Sequence, residues 1–229
     1  MKAALIIPAL NEEDSISHVL GEIPAGVFDQ VLVVDNGSRD KTAALAAAHG
    51  VLVLHEPRRG YGSACLRGIA HLIPTTEVVV FLDADGSDRP AEAPRLIEPI
   101  ASGLADFVVG SRELGRRETG ALASHQRWGN RLAIWLIQAF NGFRYTDLGP
   151  FRAIRYSSLQ QLGMADRNYG WTIEMQIKAV QRGLRILEMP VTSRRRLGGA
   201  SKVSGTLKGS VAAGFKILWT IARLGFGAA

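Results

Sequence analysis

The chain has 229 residues, 47% of them hydrophobic and 21% charged, which suits one α/β domain with a peripheral extension and excludes an intrinsically disordered chain. Its formal net charge of +6 and pI near 9.8 call for an anionic partner: a phosphate-bearing substrate, an acidic membrane surface or a nucleic acid. The lone cysteine, Cys65, excludes a disulfide framework, fits a reducing compartment and reads as a small buried residue.

The first apolar run, residues 3–7, predicts a strand, the N-terminus being too short for a signal peptide. Pro8-Ala9-Leu10-Asn11-Glu12-Glu13 is the loop after it. Ile16, Val19, Leu20 and Ile23 then recur at helical spacing behind Asp14 and Ser15, either of which can cap a helix reaching about Glu22. A second buried strand, residues 31–35, ends in Asp35. The segment Asn36-Gly37-Ser38-Arg39-Asp40 leads into an alanine-rich helix, residues 41–49, with Asp40 as N-cap. A third strand, residues 51–54, precedes Arg58-Arg59-Gly60-Tyr61-Gly62 and a helix to about Leu72. Gly60 and Gly62 imitate a dinucleotide fingerprint, but Cys65 occupies the third glycine position and the strand is the third of the chain, which argues against that reading.

The fourth strand carries the strongest signal. Val78-Val79-Val80-Phe81-Leu82 reads as a strand buried on both faces, and it ends in Asp83-Ala84-Asp85-Gly86-Ser87-Asp88-Arg89-Pro90. Asp88 and Pro90 suit a helix N-cap and first turn, the helix reaching about Ser102. Asp83 and Asp85 need another account, because repelling carboxylates at a buried strand end are costly without a cation. Two apart in extended backbone, they leave on one side and can hold Mg²⁺ or Mn²⁺. Residues 107–111 make a fifth strand. Alternating strands and helices give a parallel, doubly wound sheet whose ligands sit beyond the strand carboxyl ends, where the loops at Pro8–Glu12, Asp35–Asp40 and Asp83–Asp88 can converge. There Asp35 can accept hydrogen bonds from a base or ribose, while Asn11 and Gly37 let a nucleotide approach closely.

Beyond the fifth strand the chain turns basic, with Arg112, Arg116, Arg117, Arg127 and Arg131 close together. Arg127 and Arg131 stand four apart on a helix predicted over residues 126–140, so both can grip one phosphate. Residues 171–182 predict a further helix, 185–190 a closing strand and 194–202 a basic loop. Aromatic interleaving for base stacking is missing from that loop, which argues against a nucleic-acid partner. In residues 205–229 no apolar span of about twenty residues exists, which rejects a transmembrane helix. Lys208, Lys216 and Arg223 fall in one helical stripe, so the segment reads as an amphipathic helix. It lies either at a membrane interface, with Phe215, Leu218, Trp219 and Phe226 in lipid, or against the domain or a second copy in a dimer.

Four of these motifs, Pro8-Ala9-Leu10-Asn11-Glu12-Glu13, Val33 to Thr42, Asp83-Ala84-Asp85 and Val109-Gly110-Ser111-Arg112, occur in the order found in family-2 inverting glycosyltransferases of GT-A fold. The chain most resembles the polyprenyl-phosphate (dolichyl-phosphate) sugar synthases, over residues 2–202. The resemblance implies a three-layer α/β/α catalytic domain, residues 1–202, with a mostly parallel central sheet, followed by the amphipathic helix in 203–229. It implies a UDP- or GDP-sugar donor, with Pro8, Ala9, Leu10, Asn11, Glu12, Asp35 and Gly37 around base and ribose, and Asp83, Ala84 and Asp85 at the ribose and the metal-bound diphosphate. A polyprenyl phosphate is the implied acceptor, its phosphate held by Arg112, Arg127 and Arg131 near the sugar carbon under attack. By the same resemblance, Ser201 and Lys202 are expected in a loop that folds over the donor phosphates, Asp147 is expected to order the acceptor wall, and Glu174 is expected either to anchor an arginine or to touch substrate. Two departures stand out. Ser87 replaces a glutamine near the metal, leaving Asp88 or water to complete the shell. Arg58 and Arg59 replace a segment that usually carries an asparagine before its glycines, leaving UDP and GDP both open. The expected location is the cytoplasmic face of a membrane, with peripheral attachment. A non-phosphorylated acceptor, which would need Glu174, Asp147 or Asp88 as base, and a non-catalytic membrane-surface module are the alternatives.

Overall fold

The computed structural model describes residues 1–118, 124–198, 216 and 218–224, the side chains of 124–127 excepted. Seven strands form one sheet: β1 (Ala3–Ala9), β2 (Gln30–Asp35), β3 (Leu52–His55), β4 (Val78–Phe81), β5 (Phe107–Ser111), β6 (Arg152–Arg155) and β7 (Ile186–Pro190). Their order is β3-β2-β1-β4-β6-β5-β7. All neighbours are parallel except β6, which runs antiparallel to both β4 and β5.

Side-chain alternation on these strands builds two cores. Ile6, Val79, Phe81, Phe107, Val109 and Ile154 face α3 (Tyr61–Ile69), α5 (Ser124–Asn141) and α7 (Trp171–Gln181). Leu5, Ile7, Val33, Val78, Val80 and Val108 face α1 (Ile16–Gly21), α2 (Thr42–Ala48) and α4 (Ala93–Ala101). Because both faces are covered, β1, β4 and β5 are buried at every position, which is why they read as unbroken apolar runs.

β6 and the helix after it, α6 (Tyr156–Leu162), depart from the predicted order of elements. The four residues Arg152-Ala153-Ile154-Arg155 give no strand pattern, since two are cationic. Arg152 is buried nonetheless: its guanidinium donates to the carbonyls of Leu148, Gly149, Pro150 and Thr172 and lies over the Phe107 ring. A buried charge with its donors satisfied in this way behaves as a core residue.

Three expected caps are corrected. The element after Asp88 begins as a 3₁₀ turn, Pro90–Glu92, with Arg89 as its N-cap, and Asp88 caps nothing. Ser15 is the N-cap position of α1 but makes no capping bond, because its hydroxyl is used to tie two loops together. Lys41, not Asp40, is the N-cap position of α2, and Asp40, one residue before it, accepts from the Thr42 amide and hydroxyl at 3.0 and 2.5 Å.

Candidate active site

Strand register brings the loops after β1, β2 and β4 side by side, since Ala9 pairs with Asp35 and Ile6 with Phe81. The order reverses between β1 and β4, the place where an open sheet of this kind forms a cleft. Direct bonds lock the loops together. Asn11 adopts the left-handed conformation (φ 51°) that its short amide tolerates; its N–H donates to Ser38 Oγ at 2.9 Å, and its Oδ1 accepts from the Arg39 N–H at 2.8 Å. The Glu12 amide donates to Thr42 Oγ1 at 2.8 Å, and Ser15 Oγ donates to the Ala84 carbonyl at 2.8 Å. Asp35 accepts from the Ser38 amide and faces His55 Nδ1 at 3.3 Å.

Asn36 holds the next wall. Its Nδ2 donates to the carbonyls of Glu56 and Arg58, and its Oδ1 accepts from the Gly60 N–H at 2.7 Å. Gly60 and Gly62 then press on the backbone of another loop: a Cβ would stand 2.1 Å from the Arg167 carbonyl oxygen and 2.0 Å from that of Asp166, respectively. Close packing of two loops therefore accounts for the glycine pair that imitates a dinucleotide fingerprint. Between the glycines, Tyr61 packs against the core cluster, and its hydroxyl is near enough to Asp83 to oppose the rise of that carboxyl.

The carboxylates after β4 sit in different environments. Asp83 is pushed up to about 7, first by burial and then by the charge of Asp85. Asp88, 2% exposed, is raised well above the carboxylate range by burial and then by Asp83. Asp83 Oδ1 and Asp88 Oδ2 are buried and lack a hydrogen-bond partner. Asp85 is less enclosed, accepting from the Ser87 amide at 2.9 Å and from Arg196 Nη1 at 3.1 Å. Arg196 also reaches Glu12, so one guanidinium bridges the first loop and the β4 loop. The segment carrying it is laid down by backbone bonds, Arg194 N–H to the Ser87 carbonyl and Leu197 N–H to the Asp85 carbonyl. Leu197 packs on Gly86, whose φ of 75° and lack of a side chain make room for it.

This donor set fits a hard divalent cation. Two orphaned carboxyl oxygens stand beside Asp85 and Glu12, which Arg196 bridges, while the Arg112 charge acts on Asp83 and Asp88 from across the site. Among the described residues no three His, Cys, Asp or Glu side chains form a closed cage. Mg²⁺ needs none, since it is held by one or two carboxylates together with phosphate oxygens and water.

Across from the acids stands Arg112. It grips Asp147 with its backbone N–H, Nε and Nη2 at 2.9, 2.7 and 2.8 Å. Burial works against its charge, yet Asp147 wins and the guanidinium stays protonated. Asp147 is likewise held below the usual range, because Arg112 outweighs the cost of its burial. Asn130 of α5 and the Leu148 amide also donate to Asp147 Oδ1, and Glu188 accepts from the Thr146 and Asp147 amides. The charge of Arg112 opposes the rise of both Asp83 and Asp88, so the two groups of charges face one another.

The sequence profile described as Glycosyl transferase family 2 matches residues 4–163, from β1 to the end of α6. The chain belongs to glycosyl transferase family 2. This glycosyltransferase is 40% identical over 213 residues to an uncharacterized glycosyltransferase of Mycobacterium tuberculosis, covering 91% of the chain and 93% of the relative. To the undecaprenyl-phosphate mannosyltransferase of Micrococcus luteus it is 32% identical over 225 residues, covering 91% and 90%. Glucosyl-3-phosphoglycerate synthase from M. tuberculosis, a GT-A enzyme, superimposes with a TM-score of 0.77 at 24% identity, over 97% of this chain and 79% of that one.

In the family 2 glycosyltransferase, Pro8 and Ala9 close β1 rather than opening the loop after it, Asp35 closes β2, and Leu10, Asn11, Glu12, Gly37, Asp83, Ala84 and Asp85 lie in the loops that follow β1, β2 and β4. Arg112 follows β5. Arg131 lies on the exposed side of α5, and it is the neighbouring Asn130 that reaches Asp147. The side chain of Arg127, and Ser201, Lys202, Lys208, Phe215 and Phe226, fall outside the described residues. Glu174 anchors no arginine among the described residues: its carboxylate accepts from the amides of Ala165 and Asp166 and pairs with Lys178 at 2.7 Å. It fixes the loop on which Gly60 and Gly62 pack. His55, Tyr61 and Asn130 enter the site through folding alone. A lone aromatic framed by two glycines was the one trace of Tyr61 in the sequence.

Proposed function

We propose that this glycosyltransferase moves a sugar from a nucleoside-diphosphate donor to a polyprenyl phosphate, inverting the anomeric carbon, at a membrane surface. The observation that carries the reading is the Asp83, Asp85 and Asp88 cluster, with buried oxygens of Asp83 and Asp88 that lack partners, opposed by the Arg112–Asp147 pair. The relative in M. luteus is named for mannosyl transfer to undecaprenyl phosphate, and the GT-A neighbour was crystallised with Mn²⁺ and UDP.

In this reading Asp35 and the Asn11 loop receive base and ribose, and Asp83 and Asp85 hold Mg²⁺ or Mn²⁺, with Asp88 behind them. The cation, when bound, supplies Lewis-acid stabilisation of the departing diphosphate. Arg196 exchanges its carboxylate partners for donor phosphate oxygens, keeping its place in the 194–198 segment, and Ser201 and Lys202 extend that cover. Arg112, with Arg127, positions the acceptor phosphate, while Arg131 stays on the exposed side of α5. One phosphate oxygen forms the new bond to the anomeric carbon as the bond to the nucleoside diphosphate breaks. No proton needs to leave, since the attacking phosphate is already anionic. The engagement of Asp147 by Arg112, and of Glu174 by backbone amides, supports an acceptor that requires no base. Residues 1–202 form the catalytic unit, and 203–229 add an amphipathic membrane contact.

The test is transfer from labelled UDP- and GDP-sugars to polyprenyl phosphate in mixed micelles, with Mn²⁺ or EDTA. Product labile to mild acid, and its loss by at least about a hundredfold in Asp85→Ala at an unchanged melting temperature, is expected. Full activity of Asp85→Ala, or a product stable to mild acid, rules the assignment out.

A further inference from the structure

Helix α5 has two unlike faces. Ala133 and Ile137 are buried in the core, and Asn130 turns inward to Asp147. At the i, i+4, i+7 spacing of the opposite face stand Trp128 (72% exposed), Leu132 (50%) and Trp135 (62%), with Arg131 beside them. Two indoles and a leucine in one exposed stripe are unusual on a surface facing only water. The helix contains no Asp or Glu.

A second segment shares this layer. Ile221 enters the same core cluster as Ala133 and Ile137, and Gln181 Nε2 donates to both Asn141 Oδ1, at the end of α5, and the Leu224 carbonyl. Leu218 and Trp219 are exposed there, with Arg223. From residue 189 to the end the chain has seven Lys and Arg and no carboxylate side chain.

We propose that the outer face of α5, Trp128, Leu132 and Trp135 with Arg131, is a docking surface for an anionic lipid bilayer, continuous with Leu218 and Trp219. Indoles suit the headgroup boundary, where the ring meets acyl chains and the N–H meets water, and the cations meet acidic headgroups. A second copy on this face would oppose cation to cation with no carboxylate on α5 to pair them. Docked in this way, the bilayer lies across one helix from Asn130 and the Arg112–Asp147 wall, so a lipid phosphate has only that helix's width to cross.

The proposal rests on the lipid-acceptor reading for its purpose, and two readouts keep them apart. Co-sedimentation of the full chain is measured with vesicles of phosphatidylcholine alone or with roughly one third phosphatidylglycerol. Wild type is expected to prefer the anionic vesicles, and Trp128→Ser/Trp135→Ser to lose at least about tenfold in partitioning at an unchanged melting temperature. In a Trp219→Phe background, the emission of the remaining exposed indoles should shift blue on vesicles and be quenched by brominated lipid. Double-variant binding equal to wild type, whether or not Trp219→Ser weakens it, or a Trp128-dependent dimer that binds no vesicles overturns it. Transfer to a short, water-soluble polyprenyl phosphate is the second readout and should be unchanged in the double variant. If that transfer is absent while vesicle binding still depends on the indoles, the docking face stands and the acceptor assignment falls.

Discussion

Asp83 carries its proton where an ordinary aspartate has lost it, and the cause is burial reinforced by the Asp85 charge. An acid whose folded value lies above its unfolded one binds the proton more tightly in the folded chain. Its contribution to stability is therefore complete below the ordinary carboxylate range and disappears as pH rises through about 7. Asp88, shifted in the same direction, adds to the trend. Metal-free protein should thus lose stability between about pH 4 and 7, and Asp83→Asn should flatten the decline; denaturant midpoints taken across that range in EDTA check it. An equally steep decline in Asp83→Asn would mean that another group titrates. Cys65 needs no functional account, since burial and then the Asp83 charge keep its thiol protonated inside the core.

Between elements, the decisive contacts are those that place β5, α5 and the Tyr145–Phe151 segment around one carboxylate. Removing Arg112 leaves Asp147 buried and uncompensated, so Arg112→Ala should cost about 3–5 kcal/mol, and Arg112→Lys should recover only part of that because a lysine cannot reproduce the bidentate grip. Chemical denaturation of both variants gives the comparison. If Arg112→Ala is inactive yet as stable as wild type, the pair is not what holds this wall. The seam between Gly62 and the 166–168 loop is a second such contact. Gly62→Ala drives a methyl into the Asp166 carbonyl and should destabilise by about 1–3 kcal/mol, whereas Gly21→Ala, with open space on α1, should not. Melting temperatures of the two variants decide this, and equal values would show that the loop yields freely.

For the molecule as a whole, ligand linkage separates the donor alternatives. A nucleotide that binds only the folded chain stabilises by about 2.7 kcal/mol at a hundred times its dissociation constant. A thermal-shift panel of UDP and GDP should show one of them raising the melting temperature with Mn²⁺ and losing most of that effect in EDTA; a shift indifferent to metal would remove the cation from donor binding. No helix among the described residues is long and apolar enough to cross a membrane; most of the expected C-terminal helix lies outside those residues. The sequence by itself determined the strands β1 to β5 and the acidic loops after β2 and β4, because strands covered on both faces, as β1, β4 and β5 are, must be continuously apolar and a carboxylate at a strand tip is conspicuous. It determined the family too, through four motifs in a fixed order. Only the tertiary structure decided the rest: the antiparallel β6 built around a buried arginine, the packing of Tyr61 against the core, the engagement of Glu174 by a loop, and the choice of Asn130 over Arg131 at Asp147. Each depends on partners distant along the chain, and a side chain's role is set by which neighbours satisfy its charge and hydrogen bonds, a property that local pattern does not encode.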